Sequence, residues 1–152
     1  MAEKLEINAA IQIGKPSEEV YEAIVDPAQM SNYFIARGSA RMTEGAEVIW
    51  KFPEFDFEVP VKVIKVEPGH RITFLWGEEG KEDTVDISLH SVGDKATVVR
   101  VKESDRKNDE AGLDWLKGNT EGWANFLACM KAFLEYGINL RKGAFDFRKG
   151  EM

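Results

Sequence analysis

From Arg37 to Glu103 the apolar residues recur at nearly every second position. A period of two buries one face of a strand and cannot bury one face of a helix. The sets are Val48, Trp50 and Phe52; Phe55, Phe57, Val59, Val61 and Val63; Ile72, Phe74 and Trp76; Val85, Ile87 and Leu89; and Thr97, Val99 and Val101. Turn residues separate them at Glu44-Gly45, Pro53-Glu54, Pro68-Gly69, Gly77 to Gly80 and Gly93-Asp94, which predicts an antiparallel meander of about five or six strands. Pro60 argues for an edge or a bulge in the second set, and the slip in parity at Val63-Ile64 for a bulge that bends the sheet.

Helical signals flank this meander. Leu5, Ile7, Ala9, Ile11 and Ile13 form a first strand that Gly14-Lys15-Pro16 breaks. Ser17 can then cap a short helix with Glu18 and Glu19 in its first turn. Asp26-Pro27-Ala28-Gln29 reads as a second helix start, with Asp as cap and Pro at the first helical position. Ser104 to Gly118 is polar and aperiodic and reads as a loop with one helical turn. Beyond it, Trp123, Phe126, Leu127, Met130, Phe133, Leu134, Gly137, Ile138 and Arg141 recur at steps of three and four, an apolar stripe interrupted only by small Gly137. This predicts a long amphipathic helix from about Thr120 to Lys142, capped by Asn119 or Thr120 and stopped at Gly143. The tail from Ala144 to Met152 carries Phe145 and Phe147.

Composition removes several function classes. At 152 residues with 43% hydrophobic and 31% charged residues, the chain can bury one sizeable core, and a single domain over 1–152 is expected. The net charge of −7, with both signs interleaved, gives no cationic surface for nucleic acid. Arg141-Lys142 and Arg148-Lys149 read as complements to a helix C-terminus. Cys129, the single cysteine, allows no internal disulfide and sits among apolar helical positions as a small core residue. No spacing of His, Cys, Asp or Glu suggests a metal, no glycine-rich phosphate loop follows a strand, and no cofactor is expected. Met1 to Ile13 contains neither a basic leader nor an apolar run, and no stretch is long and apolar enough for membrane insertion, so a cytoplasmic protein is expected.

The order of strand, two short helices, meander and long helix resembles the helix-grip fold of the START-like, or SRPBCC, superfamily. Four motifs are closer still to one branch: Ser17-Glu18-Glu19-Val20-Tyr21-Glu22-Ala23-Ile24-Val25-Asp26-Pro27, the aromatic pair Tyr33-Phe34, Arg71-Ile72-Thr73-Phe74-Leu75-Trp76, and Gly122-Trp123 leading into the last helix. They resemble the homologues of the activator of the ninety-kilodalton heat-shock protein's ATPase, a family that commonly has Trp where this chain has Tyr33 or Phe34. The resemblance implies an α+β fold, a curved antiparallel sheet of six or seven strands around a long C-terminal helix. It also implies a cavity between helix and sheet that takes lipids, hormones or other apolar small molecules. The superfamily includes cyclases and dehydratases, so the fold alone does not set the activity.

Inward parity nominates Trp50, Phe52, Phe57, Phe74, Trp76, Trp123, Phe126 and Met130, with Tyr33, as the lining of that cavity. Any single one of them reads first as core packing, since large aromatics supply most burial in a small domain; it is the group that points to a cavity. The same parity turns Asp83 and Glu103 inward near strand ends, where they could form an acid/base pair. Isolated carboxylates are rarely buried, so both are read as solvated where the strands leave the sheet. His70 and His90 fall on turn or outward positions. The leading expectation is a binding protein for a small apolar molecule or lipid; the alternatives are an interaction protein touching a chaperone and, behind it because no catalytic motif is recognisable, a cyclase- or dehydratase-like enzyme using Asp83 and Glu103. The tail is expected to cap the cavity or to join two copies of the chain as a homodimer.

Overall fold

The computed structural model describes residues 4–149; the first three positions and the last three of the predicted tail lie outside the described residues. Strand β1, Lys4–Ile13, leads into two short helices, α1 Ser17–Val25 and α2 Pro27–Met30. Six strands follow: β2 Arg37–Gly38, β3 Glu47–Lys51, β4 Glu58–Glu67, β5 Arg71–Trp76, β6 Asp83–Val92 and β7 Ala96–Lys107. Helix α3, Glu110–Tyr136, and a single 3-10 turn at Asp146–Arg148 complete the fold. The seven strands form one antiparallel sheet in the order β1-β7-β6-β5-β4-β3-β2. The meander therefore runs outward from β7 to β2, and β1 closes on the last strand. This is the α+β helix-grip architecture, a curved sheet holding a long helix.

The alternation read from the sequence is the alternation of burial. Val85, Ile87 and Leu89 of β6 and Thr97, Val99 and Val101 of β7 all turn inward, against Ile7 and Ile13 of β1 and the helix residues Trp123, Phe126, Leu127 and Met130. The bend in β4 lies at Ile64, where the register with β5 shifts between Val63 and Lys65 and the side chain is extruded to 50% exposure. Pro60 is not on an edge strand. It pairs with Ile49 of β3, and the ladder with β5 begins only at the next residue, Val61, so no β5 partner requires the missing N–H.

The helical boundaries differ from expectation for local reasons. Asp26 caps α2 as predicted, accepting from the Ala28 N–H at 2.9 Å. Ser17 makes no capping bond, because Pro16 holds the cap position of α1 and Ser17 is already helical. Helix α3 starts ten residues earlier than predicted, at an Asp109 side chain that accepts from the Gly112 N–H at 2.8 Å. A Cβ on Gly112 would overlap the Lys107 carbonyl, so this turn needs glycine for a close approach to the end of β7. The helix stops at Gly137, not Gly143. With φ of 67°, Gly137 takes the left-handed conformation and returns its N–H to the carbonyls of Ala132 and Phe133. Twenty-seven residues at about 1.5 Å each give a rod of roughly 40 Å. Its far end is tied to β1, with Lys131 donating to the Gln12 carbonyl at 2.7 Å and the Gly14 N–H to Glu135 at 2.7 Å.

Candidate functional site

A cleft of about 260 Å³ opens where α3 passes over the β3–β4 connection and the end of β5. One wall is the helix, through Gly118, Asn119, Gly122, Trp123 and Phe126. The opposite wall is Phe34, Phe52, Phe55 and Trp76, and the segment after the helix contributes Arg141, Phe145 and Arg148. The connection after β3 is held by the Lys51 ammonium, which donates to the carbonyls of Phe52 and Phe55. Satisfying these two carbonyls fixes Phe52, Glu54 and Phe55 at the edge of the cleft. The aromatics are set edge to face: Phe34 against Phe126 at 4.6 Å and against Phe52 at 5.0 Å, and Trp123 against Phe126 at 5.1 Å between centroids.

Behind the indole wall lies a carboxylate. Glu103 is 0% exposed, and three donors converge on it. Trp123 Nε1 at 2.8 Å and Asn119 Nδ2 at 3.1 Å reach Oε1, and Trp76 Nε1 at 2.9 Å reaches Oε2. Burial pushes its pKa above the ordinary carboxylate range, the three hydrogen bonds oppose that shift, and the nearby charge of Asp83 adds to it. Asp83 is itself buried and takes a bidentate ion pair from Arg106, at 2.7 and 2.9 Å. The expectation that both carboxylates are solvated is thus overturned. Each has bonding partners that alternation alone does not reveal, supplied to Glu103 by α3 and β5 and to Asp83 by β7.

A second buried ion pair closes the rim. Arg141 donates to Glu54 at 3.1 and 2.9 Å, with side chains 11% and 4% exposed. The Arg141 guanidinium also stacks near Phe34, Phe52 and Phe145. Arg141 and Arg148 are therefore not complements to a helix dipole, because the helix has ended before either of them. The strap from Ile138 to Arg148 separates the cleft from a smaller hollow of about 210 Å³ on its other side, which Tyr33, Phe34, Ile35 and Glu54 line with Arg141 and Phe145.

The nominated lining residues divide. Phe52, Trp76, Trp123 and Phe126 border the cleft. Trp50, Phe74 and Met130 are buried in the core away from it. Tyr33 is 0% exposed, donates its hydroxyl to the Ala23 carbonyl at 2.9 Å, and borders the second hollow rather than the cleft. Phe57 is 44% exposed and stacks on Phe55, because β4 starts one residue after it and inward parity does not extend into the connection. The sequence reading missed Phe34, Phe55, Asn125, Glu54 and Arg141 as lining residues, whereas the tail it expected over the cavity does bring Phe145 and Arg148 to the cleft. It also missed Gly118 and Gly122, although their spacing of four is a helix-face signal. His70 and His90 are exposed, as expected.

The model of the family described as activator of Hsp90 ATPase homolog 1-like protein matches residues 15–135. The chain belongs to that family. Among solved structures, a Staphylococcus saprophyticus protein, SSP2350, is 30% identical with a TM-score of 0.79, over 90% of this chain and 96% of its own. DynU16, described as a putative protein in the dynemicin biosynthetic locus, is 27% identical with a TM-score of 0.78 over 88% of this chain, which spans only 48% of it. The Aha1 dimer from Colwellia psychrerythraea is 20% identical with a TM-score of 0.75, over 88% of this chain and 98% of that one, and shares the fold. No curated protein matches the chain. Among the described residues, no helix is long and apolar enough to cross a membrane.

Proposed function

We propose that this member of the family binds a small, largely apolar molecule in the cleft between α3 and the sheet. The observation that carries the reading is the pair Gly118 and Gly122. Glycine inside a helix costs about 0.5–1 kcal/mol relative to alanine. At both positions a Cβ would meet nothing within 4 Å, so packing does not demand glycine at either. What the two missing side chains leave is room in the cleft, and both glycines border it. Aromatic walls with a few placed polar groups are the usual construction of a small-ligand site, although about 260 Å³ lies just below the usual range of roughly 300–1,000 Å³.

Titration with a fluorescent naphthalene probe tests this. Wild-type protein should enhance probe emission saturably, and Gly122→Leu, which fills the cleft from the helix side, should weaken binding by about tenfold or more with helix content unchanged. Equal binding by both proteins, or binding by neither, refutes the reading.

A second reading, contact with a chaperone ATPase, is supported by the family's description and by the apolar exposure of Tyr136, Ile138, Leu140 and Phe147 beyond the cleft. Stimulation of the chaperone's ATP turnover by wild type, lost on Ile138→Asp with Leu140→Asp, is its expected signature. No stimulation removes it.

A further inference from the structure

The two ends of the cleft differ in the groups they offer, and the difference limits what can lie in it. At the inner end the N–H donors of Trp76, Trp123 and Asn119 are all taken up by the buried Glu103, which leaves indole faces and edges for contact with a ligand. At the outer end two guanidinium groups flank one ring, Arg141 at 4.9 Å and Arg148 at 5.0 Å from the Phe145 centroid. Their partners are not equivalent. Arg141 is neutralised by the buried Glu54, whereas Arg148 among the described residues donates only through Nη2, to Glu121, a side chain 62% exposed to water. An exposed carboxylate is held loosely and exchanges readily for another anion, and a guanidinium offers a planar fork that a carboxylate fits.

We infer that the ligand is an amphipathic organic anion, an aromatic or compact apolar body bearing one carboxylate, bound with the body against Trp76 and Trp123 and the carboxylate on Arg148. The inference rests on the cleft being the ligand site proposed above. A cleft of about 260 Å³, at the low end for small-ligand sites, suits a compact bicyclic aromatic body better than a long acyl chain. The carboxylate displaces Glu121 from Arg148 and leaves the Arg141–Glu54 pair in place.

Naphthoate and naphthamide are matched in shape and differ in charge, and their binding by calorimetry decides the matter. Wild type should prefer naphthoate by about tenfold, with the preference shrinking as salt is raised. Arg148→Gln, at a partly exposed site outside the core, should bring the two ligands within about threefold, naphthoate losing more affinity than naphthamide. Gly122→Leu should weaken both. Equal binding of the two ligands by wild type, or a preference untouched by Arg148→Gln, overturns this inference and leaves the cleft standing as an apolar site. If neither ligand binds and the naphthalene probe also fails, the cleft reading falls and the inference with it; if the probe binds and neither ligand does, the inference alone falls.

Discussion

Trp76 and Trp123 lie 5.3 Å apart between ring centroids, one on β5 and one on α3, and both aim their indole N–H at the same Glu103 carboxylate. The carboxylate thereby fixes the orientation of two large rings that border the cleft, and it couples the helix to the sheet through charge-assisted bonds in a desolvated place. Bonds of this kind are stronger than neutral ones where water is excluded. An apolar residue at position 103 could fill the same space, but it would leave two buried indole N–H groups without acceptors.

Glu103 should make stability depend on pH. Its folded-state pKa is raised, mainly by burial, so the folded protein holds the proton more tightly than the unfolded chain does. Its contribution is then fully present below the unfolded-state value and is lost as pH rises through the folded-state value. Urea unfolding across that window should show wild type losing stability relative to Glu103→Gln as pH climbs out of the ordinary carboxylate range. A stability difference that stays flat with pH contradicts the assignment.

The glycine pair makes a prediction of opposite sign for stability and binding. Gly118→Ala with Gly122→Ala should stabilise the protein by about 1–2 kcal/mol, the sum of two helix-interior replacements, which at this size raises the melting temperature by roughly 2–4 °C per kcal/mol. The same double variant should bind the naphthalene probe more weakly, because both methyl groups enter the cleft. Unchanged or lower stability indicates that one of the glycines meets a packing need of its own.

What could be read from the sequence follows from what has a period. Strand alternation located the meander, the bulge after Val63 and the inward face, and the apolar stripe of Trp123, Phe126 and Met130 located the helix. The helix ends were not legible, because the first turns are polar and contain Gly112, whose role is a close approach to Lys107 that no periodicity encodes. Nor was the rim. Glu54 and Arg141 are 87 positions apart, and Phe145 and Arg148 follow a helix stop that the sequence places six residues too late. Parity says that Trp50 and Trp76 point the same way. It does not say that one is sealed in the core and the other borders open space, since that depends on where the helix crosses the sheet.

Tyr33 separates core from cleft. Its hydroxyl is buried and bonded to the Ala23 carbonyl, burial holds its pKa well above the usual value, and its ring packs on Phe126 and Phe133. Tyr33→Phe should therefore cost about 0.5–1.5 kcal/mol of stability, the net worth of a typical hydrogen bond. Probe affinity should not change. A loss of affinity with little loss of stability would instead place Tyr33 in contact with the ligand.

The Arg141–Glu54 pair should hold the strap down more than it stabilises the fold. Arg141 lies five residues beyond the end of α3, after Gly137 and before Gly143, two glycines with φ of 67° and 73°, so the strap can lift away without unwinding the helix. Removing one partner of a buried pair leaves the other in an unfavourable place; here Arg141 escapes that penalty by carrying the strap into water. Glu54→Gln should accordingly lower global stability by only about 1.5–3 kcal/mol, the scale of a charged hydrogen bond. Amide exchange should report the local event. The N–H groups of Ala144, Arg148 and Lys149, bonded within the strap to Arg141, Phe145 and Asp146, should exchange faster, while those of β6 and β7 keep their protection. Uniform acceleration across strap and sheet would mean that the pair belongs to the global core, and unchanged exchange in the strap that Phe145 and its neighbours hold it unaided.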